Sequence, residues 1–204
     1  MQEKILKMLE LQDAMNRKIN ESWREADYPW YRAIWTECAE MLDHYGWKWW
    51  KHQKPDIEQV KLEVVDIWHF TLSAQLMQGR SMEQTTEQIA GLLQQPGDAL
   101  DLRTAIEEMA KDAIETHGAN ISIFASIMGF AGIGLNDLYR MYIGKNVLNF
   151  FRQDHGYQEG HYEKIWHGRE DNEHLVDILA TLNPDSDSFS EDIYQELKAA
   201  YPNP

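Results

Sequence analysis

The chain has 204 residues, of which 43% are hydrophobic and 26% charged, as expected for a globular protein with one sizeable core. Its 34 acidic and 19 basic residues leave a formal net charge of −15, which argues against the basic surface that nucleic acid or an anionic membrane requires. A single cysteine, Cys38, rules out an intrachain disulfide framework and predicts a reducing compartment. We therefore expect a cytoplasmic protein with a buried thiol and without nucleic acid or membrane partners.

Apolar residues recur at helical spacing along most of the chain, and we predict an all-α helical bundle. The most apolar run, residues 121–135, is too short to span a bilayer and is predicted to be a buried helix. Residues 82–117 carry no recognisable chemistry and are predicted to be a small mobile or peripheral part. The predicted helices cover residues 2–20, 30–45, 56–78, 121–137, 139–155, 172–182 and 190–200, with two more inside 82–117 that are separated at QQPGDA.

The first predicted helix carries a pair of amides, Gln12 and Asn16, at i,i+4 spacing. One interpretation is an exposed polar face of the helix. The other is a pair that reads the edge of a nucleobase, because an amide can donate and accept hydrogen bonds at the same time.

Two acidic pairs lie in the second and third predicted helices. Glu37 with Glu40, and Glu63 with Asp66, have i,i+3 spacing, so the carboxylates of each pair share one helix face. Helices joined by a short loop are usually antiparallel neighbours, so the four carboxylates are expected to meet between facing helices. Oxygen ligands suit Mg²⁺ or Mn²⁺, and Mg²⁺ prefers to keep positions for water and substrate phosphates. The sequence therefore predicts a metal-bridged phosphate ligand; the alternative is a set of solvated surface acids.

Aromatic residues surround these acidic pairs. The WKWWK segment, residues 47–51, carries three tryptophans, and we expect Trp47 or Trp50 to belong to the core. A tryptophan that faces the site would stack on a nucleobase, an interaction worth roughly 1–3 kcal/mol. His69 and Phe70 follow the second acidic pair within one helical turn and are expected near the carboxylate face.

Basic residues gather after residue 139, although the chain as a whole is acidic. Lys145 and Arg152 are two helical turns apart and share a face, and Arg169 follows in a glycine-rich loop. One interpretation is a phosphate clamp, because arginine suits bidentate phosphate contacts and lysine acts as a point charge. The alternative is a set of surface cations that pair with neighbouring acids: Asp137, Asp154 or Glu163.

The motifs LQDAMN, ECAE, WKWWK, EVVDIWHF, KNVLNFFRQDHGY and GREDN follow one another over residues 11–172. In this combination the chain resembles the dimeric, all-α dUTPase family, relatives of the MazG-like all-α nucleotide pyrophosphatases. The resemblance implies one domain over residues 1–204 and a homodimer in which the partner chain helps to complete the site. It also implies magnesium-dependent hydrolysis of dUTP, and of dUDP, to dUMP; from dUTP this releases pyrophosphate. Such an enzyme cleans the nucleotide pool and supplies the precursor of dTTP.

The resemblance also implies roles for the residues that match the motifs. Two or three magnesium ions, for which Mn²⁺ can substitute, would be held by four carboxylates: Glu37, Glu40, Glu63 and Asp66. As a separate mechanistic hypothesis, we predict that Glu37 or Glu40 is the general base and that Lys145, Arg152 and Arg169 neutralise charge that develops on the transferred or leaving group. Gln12 and Asn16 would read the uracil edge, and Trp49 and Phe70 would sandwich the base with His69 beside them. The phosphate chain would be held by Lys145, Arg152 and Arg169 with support from Tyr162, and the deoxyribose 3′-hydroxyl by Asn172.

Three other interpretations remain open on the sequence. The same chemistry could act on another nucleotide such as dCTP, because amides can flip to suit either base edge. The chain could instead be an acidic helical interaction protein without magnesium-dependent turnover. The spacing of Asp66 and His69 also raises a di-iron carboxylate site, which is disfavoured because such a site normally needs two Glu-x-x-His motifs.

Overall fold

The computed structural model describes residues 1–184 and 186–202 of the chain. These residues form helices and one short antiparallel ladder, which confirms the all-α fold class. The helices are α1 (Gln2–Ile19), α2 (Trp30–Tyr45), α3 (Ile57–Leu76), α4 (Met82–Leu93), α5 (Leu102–Thr116), α6 (Ile121–Phe130), α7 (Leu135–Asp154), α8 (Asp171–Thr181) and α9 (Phe189–Ala200), and the strands are β1 (Ile165–Trp166) and β2 (Arg169–Glu170).

The chain divides into two compact units, of which the first ends at Tyr139 and the second begins at Arg140, inside α7. The prediction of a single domain stays a prediction. Within the first unit, α4 packs on α1 and α6, and α5 packs on α2 and α6. The proposed mobile or peripheral character of residues 82–117 stays a prediction as well.

Side-chain caps explain where four of the helices begin. Asp56, Ser81, Asp101 and Asn120 each accept a hydrogen bond from a backbone N–H in the first turn of the helix that follows. These residue types stabilise a helix start because their short side chains satisfy N–H groups that have no partner inside the helix. The predicted starts of these helices therefore fall close to the observed ones.

The predicted helix over residues 121–137 is wrong at its C-terminal end. The chain leaves the helical path after Phe130, and Gly132 adopts a left-handed backbone with φ of 69°. A new helix starts at Leu135, where the Asp137 carboxylate accepts a hydrogen bond from the N–H of Gly134. A glycine in the left-handed conformation commonly ends a helix, so the apolar run is divided between α6 and α7.

The core of the first unit is built around α3. Residues on all sides of this helix are buried, because α3 packs on α1, α2, α4 and α6. Trp68 stacks on Phe124 with 4.8 Å between the ring centroids, and its indole Nε1 donates a hydrogen bond to Met8 Sδ at 3.3 Å. On α2, burial raises the pKa of the Cys38 thiol to about 12, which confirms the expected buried cysteine. Glu63, the buried acid of α3, therefore lies in an apolar environment.

Among the described residues, no single helix is long and apolar enough to cross a membrane. Within the described part of the chain, α6 and α7 reach this length and apolar composition when they are taken together as a bent pair. The inward face of α6, including Ile121, Phe124 and Ile127, is buried in the protein, as predicted for this apolar run.

The second unit is an aromatic cluster covered by α8 and α9. The rings of Trp166 and Tyr201 both pack edge-on against Phe151, and Tyr201 stacks on Tyr162 with 5.4 Å between centroids. The ladder of β1 and β2 is closed by His167 and Gly168, both with positive φ, as a tight hairpin requires. Strands of two residues are too short to show an alternating pattern, and the sequence therefore does not predict them.

Candidate active site

Three of the four predicted metal ligands lie together in the first unit. Glu37 on α2 faces Glu63 and Asp66 on α3, and one oxygen of each carboxylate lies within 4.8 Å of the others. Glu63 is only 7% exposed, because α3 is covered on most sides. The helices that carry the acidic pairs therefore do face each other, and all the ligand atoms in this group are oxygens.

Electrostatic repulsion in this cluster is relieved by a proton. The pKa of Glu37 is raised to about 9, because the residue is partly desolvated, hydrogen-bonds to Glu63 and faces the charges of Asp66, Glu63 and Glu40. Glu37 therefore keeps its proton at neutral pH in the metal-free protein. A divalent cation would stabilise the same three carboxylates more effectively than one shared proton, because it offsets two of their negative charges where the proton offsets one.

Glu40 lies outside this group of three. It is exposed and sits one helical turn beyond Glu37 on α2. Its charge still contributes to the raised pKa of Glu37, so the two side chains interact. Its assignment as a fourth ligand stays a prediction.

His44 belongs to the same region and has no place among the residues predicted from the sequence. Its Nε2 lies 3.5 Å from Glu63 Oε1, and the imidazole is about one-third exposed. On α2 the residue follows Glu37 by two helical turns, so the two share a face. That spacing is the only sequence signal that connects His44 with the cluster.

The predicted base-reading amides form a buried hydrogen-bonded chain. Gln12 Nε2 donates to Asn16 Oδ1 at 3.0 Å, and Asn16 Nδ2 donates to Ser73 Oγ at 3.0 Å. His69 Nδ1 lies 2.8 Å from Gln12 Oε1, and Ser73 Oγ donates to the backbone carbonyl of His69 at 3.1 Å. All four side chains are buried, so the interpretation of Gln12 and Asn16 as an exposed polar face is wrong. Ser73 is the member that the sequence does not single out.

The three tryptophans of the WKWWK segment are more exposed than the sequence predicts. Trp47 and Trp50 are both exposed, so the prediction that one of them belongs to the core is wrong. Trp49 is 89% exposed and contacts Trp50 edge to face, with 5.3 Å between centroids. Phe70 packs instead on Trp30, at 6.4 Å with 30° between the ring planes. The assignment of Trp49 and Phe70 as a base sandwich stays a prediction.

In the second unit, a buried carboxylate organises two of the predicted substrate ligands. Asp171 accepts two hydrogen bonds from Arg152, both of 2.8 Å, and one of 2.8 Å from the Tyr162 hydroxyl. Asp171 is fully buried, although the sequence gives no reason to select it among the acids of this segment. Beside it, Lys145 Nζ donates to Asn172 Oδ1 at 3.0 Å. Lys145, Arg152, Tyr162 and Asn172 therefore form one polar cluster.

The charges in this cluster set the protonation of its members. Burial alone would raise the pKa of Asp171, but hydrogen bonds and charge from Arg152 outweigh it and lower that pKa below its usual value. Burial and the negative charge of Asp171 raise the pKa of Tyr162 well above its usual value. Asp171 therefore stays ionised, and the Tyr162 hydroxyl keeps its hydrogen and donates it to Asp171.

Arg169, the third predicted phosphate ligand, makes its ion pairs with other residues than those of the polar cluster around Asp171. Its guanidinium is exposed and pairs with Asp177 at 2.8 Å and with Glu173 at 3.8 Å. These acids lie on α8 and differ from the expected partners Asp137, Asp154 and Glu163. Its role as a phosphate ligand stays a prediction.

A comparison with protein-family models matches residues 4–157 of the chain to a family described as dUTPase. The chain belongs to the all-α dUTPase family. The activity of this dUTPase family is that of a dUTP diphosphatase, so the protein is a hydrolase that acts on dUTP in nucleotide metabolism. The alternative of a non-enzymatic interaction protein is therefore wrong. A comparison with curated protein sequences found no match.

The dUTPase match covers some of the predicted site and leaves the rest outside. It includes the carboxylate cluster, the amide chain and two of the cations, Lys145 and Arg152. It ends before Tyr162, Arg169 and Asn172. The roles of these last three residues depend on the motif resemblance and on the contacts that Tyr162 and Asn172 make with Asp171, Lys145 and Arg152.

Proposed function

We propose that the enzyme hydrolyses dUTP, and also dUDP, to dUMP in a magnesium-dependent reaction, and that dUTP yields pyrophosphate. The observation that carries this proposal is the cluster of Glu37, Glu63 and Asp66, in which the metal-free protein holds a proton that a cation would replace. We propose that the active enzyme is a homodimer, as the motif resemblance implies.

The donor set fits magnesium. All three clustered groups are carboxylates, and hard oxygen ligands of this kind suit Mg²⁺, with Mn²⁺ as a substitute. Glu37, Glu63 and Asp66 would hold the metal, with Glu40 as a further ligand and two or three ions in the site. The metal would supply charge neutralisation for the phosphate chain and lower the pKa of a water molecule.

Glu40 is the better placed of the two proposed general bases. It is exposed one turn beyond Glu37, so it can take a proton from a water molecule and pass it to solvent. Glu37 is engaged by Glu63 within the cluster. Lys145 and Arg152 are proposed to neutralise charge on the phosphate chain, with Arg169 as a further ligand and Tyr162 holding Asp171 in place.

The base and the sugar are assigned to separate polar groups. Gln12, Asn16 and His69 are proposed to contact the uracil edge, since they form one hydrogen-bonded chain on α1 and α3. Asn172 is proposed to contact the 3′-hydroxyl: its Oδ1 accepts from Lys145, so its Nδ2 hydrogens point away from that cation. Trp49 and Phe70 are proposed to stack on the base.

The substrate assignment is tested by product release from dUTP, dUDP, dCTP, TTP, dATP and UTP with and without Mg²⁺. We expect fast, metal-dependent turnover of dUTP above the other triphosphates, with pyrophosphate as the product, and phosphate release from dUDP. Preferential turnover of dCTP would overturn the uracil assignment but keep the metal site. Absence of turnover of every nucleotide by folded protein with Mg²⁺ would overturn the proposed reaction.

The metal assignment is tested by Glu63→Gln and Asp66→Asn. Each change removes a charge from the cluster, and loss of several kcal/mol of transition-state stabilisation lowers kcat by roughly a thousandfold or more. Glu58→Gln is the matched control, because Glu58 is an exposed carboxylate on the same helix that pairs with Lys61. Near-normal turnover in Glu63→Gln or Asp66→Asn would contradict the assignment.

Magnesium binding is expected to release a proton. Because Glu37 is protonated below about pH 9 in the metal-free protein, a cation that binds its carboxylate must displace that proton. Calorimetric titration with Mg²⁺ at pH 7.5 in buffers of different ionisation enthalpy is expected to show about one proton released per site. Glu37→Gln is the control, and equal binding heats in all buffers for the unchanged protein would contradict the prediction.

A further inference from the structure

Gln12, Asn16, Ser73 and His69 form a buried chain of hydrogen bonds in which each bond has a fixed donor and a fixed acceptor. This order is fixed because the group at one end of the chain can only accept a hydrogen bond. That end is the backbone carbonyl of His69, which lies 3.1 Å from Ser73 Oγ. A carbonyl oxygen has no hydrogen, so the Ser73 hydroxyl must donate to it. The bond is the i to i−4 contact that a serine side chain commonly makes inside a helix.

The donor and acceptor of each bond determine those of the next bond in the chain. Because the Ser73 hydrogen is used, Ser73 Oγ accepts, and the Asn16 atom 3.0 Å from it is the amide nitrogen. Asn16 Oδ1 then faces Gln12 and accepts from Gln12 Nε2 at 3.0 Å. Gln12 Oε1 in turn accepts from His69 Nδ1 at 2.8 Å, which places a hydrogen on Nδ1 of that ring. Both amide orientations and the histidine tautomer therefore follow from one hydroxyl group.

We propose that Ser73 is a positioning residue for base selectivity, which fixes the donors and acceptors that Gln12, Asn16 and His69 offer to the uracil edge. This inference depends on the proposed function, in which those three side chains contact the base. Ser73 itself is fully buried behind them, so it acts through the amides. It is also 57 residues away from Asn16 along the chain, so the pairing cannot be read from local spacing.

Fixed orientation matters because uracil and cytosine present opposite groups. Uracil offers a donor at N3 and an acceptor at position 4, whereas cytosine offers an acceptor at N3 and an amino donor at position 4. A chain of amides that could flip would suit either base, since the donor and acceptor ends of an amide exchange on flipping. In the fixed tautomer the neutral His69 ring can only accept through Nε2, which matches the N3–H of uracil and conflicts with N3 of cytosine.

Reversing the whole chain would sacrifice one hydrogen bond. Ser73 could turn its hydroxyl to Asn16, both amides could flip, and the hydrogen of His69 could move to Nε2, but the bond from Ser73 to the carbonyl would be lost. One such bond corresponds to roughly a fivefold preference for the observed direction. Without the Ser73 hydroxyl the two directions become similar in free energy, and the preference disappears.

The test is the ratio of kcat/KM for dUTP to kcat/KM for dCTP in Ser73→Ala. We expect this ratio to fall roughly fivefold, through a gain for dCTP and a loss for dUTP. The matched control is Ser126→Ala: Ser126 is a buried serine of the same unit, which also donates to a backbone carbonyl, that of Gly97 at 3.1 Å. It belongs to no chain of amides, so we expect the ratio to stay unchanged in this variant.

A spectroscopic measurement separates positioning from simple loss of stability. The ¹⁵N shifts of the His69 ring are expected to show Nδ1 protonated in the unchanged protein and a mixture of tautomers in Ser73→Ala. Ser73→Cys is a second variant that keeps the size of the site but only a weak donor, and we expect an intermediate ratio. The thermal midpoint of each variant is measured to establish that the variant is folded under the conditions of the kinetic and spectroscopic measurements.

The outcomes distinguish this inference from the proposed function. Gln12→Ala is the reference, because loss of a direct base contact is expected to lower the ratio roughly tenfold to a hundredfold. If Gln12→Ala lowers the ratio and Ser73→Ala leaves both the ratio and the His69 tautomer unchanged, the role of Ser73 is overturned while the base contact stands. If Gln12→Ala also leaves the ratio unchanged, the assignment of the uracil edge is overturned and the role of Ser73 with it.

Discussion

Glu37→Gln is expected to abolish turnover of dUTP and, at the same time, to stabilise the metal-free protein at pH 8. Turnover is lost because glutamine removes one carboxylate from the proposed metal site, which lowers kcat by roughly a thousandfold or more. Stability rises because the same carboxylate is unfavourable in the folded protein, where burial and neighbouring acids raise its pKa to about 9. Opposite signs for activity and stability are typical of groups that are kept for function.

The pH dependence of this stabilisation follows from proton linkage. In the unfolded chain Glu37 ionises near pH 4.5, whereas in the folded protein it keeps its proton until about pH 9. Between these values the folded state binds more protons, so the free energy of unfolding falls as the pH rises. Glutamine does not titrate, so the gain from the variant is absent below pH 4, grows through this window and is complete above pH 9.

The measurement is thermal unfolding of the metal-free protein and of Glu37→Gln from pH 5 to pH 9. A single unit of the upward pKa shift corresponds to about 1.4 kcal/mol, or about 3 °C in Tm for a chain of this size, so a rise of several degrees is expected at pH 8. Glu58→Gln is again the matched control and is expected to leave the profile unchanged. A lower Tm for Glu37→Gln at pH 8 would contradict the electrostatic account.

Asp171→Asn is expected to destabilise the protein by roughly 3–5 kcal/mol, because it leaves a charged guanidinium without its buried partner. Arg152 is 12% exposed and Asp171 is not exposed at all, and two hydrogen bonds of 2.8 Å join them. Asparagine retains the size of the side chain but loses the charge and one acceptor oxygen. The Tm is expected to fall by roughly 6–11 °C.

The matched control is Asp177→Asn. Asp177 lies on α8, the helix that also carries Asp171, and its carboxylate forms an exposed ion pair with Arg169. Exposed pairs contribute about 1 kcal/mol or less, so the Tm is expected to change little. Combining Asp171→Asn with Arg152→Gln replaces the ion pair by two neutral amides and is expected to recover much of the stability. Equal destabilisation by Asp171→Asn and Asp177→Asn would show that burial of the pair has no energetic consequence.

The local features of the fold were predictable from the sequence. The bounds predicted for α2 agree with the structure, and the predicted starts of α3 and α6 fall within one residue of the observed ones. These features depend on spacing within a helical period and on caps made by adjacent residues. The sequence does not predict the division between α6 and α7, because the apolar pattern continues across Gly132, whose left-handed backbone follows the end of the first helix.

The candidate site was predictable in its residue types and less so in its contacts. The i,i+3 spacing of Glu63 and Asp66 placed both acids on one face of α3, and the structure brings Glu37 to them. The spacing of Glu37 and Glu40 did not indicate that Glu37 lies in the carboxylate cluster whereas Glu40 is exposed. The sequence predicts a partly buried WKWWK segment because tryptophan is apolar, yet Trp47 and Trp50 are exposed. The aromatic residue that packs on Phe70 is Trp30, which lies outside this segment.

The sequence by itself determined most of the helices, the acidic face of α3 and the dUTPase family, because each depends on residue types at fixed spacing along the chain. Only the tertiary structure decided which polar groups meet in the interior. Ser73 bonds to a residue 57 positions away and Asp171 to one 19 positions away, and both are buried by elements distant in sequence. The direction of a hydrogen bond and the cost of a buried charge depend on such neighbours, and no local pattern specifies them.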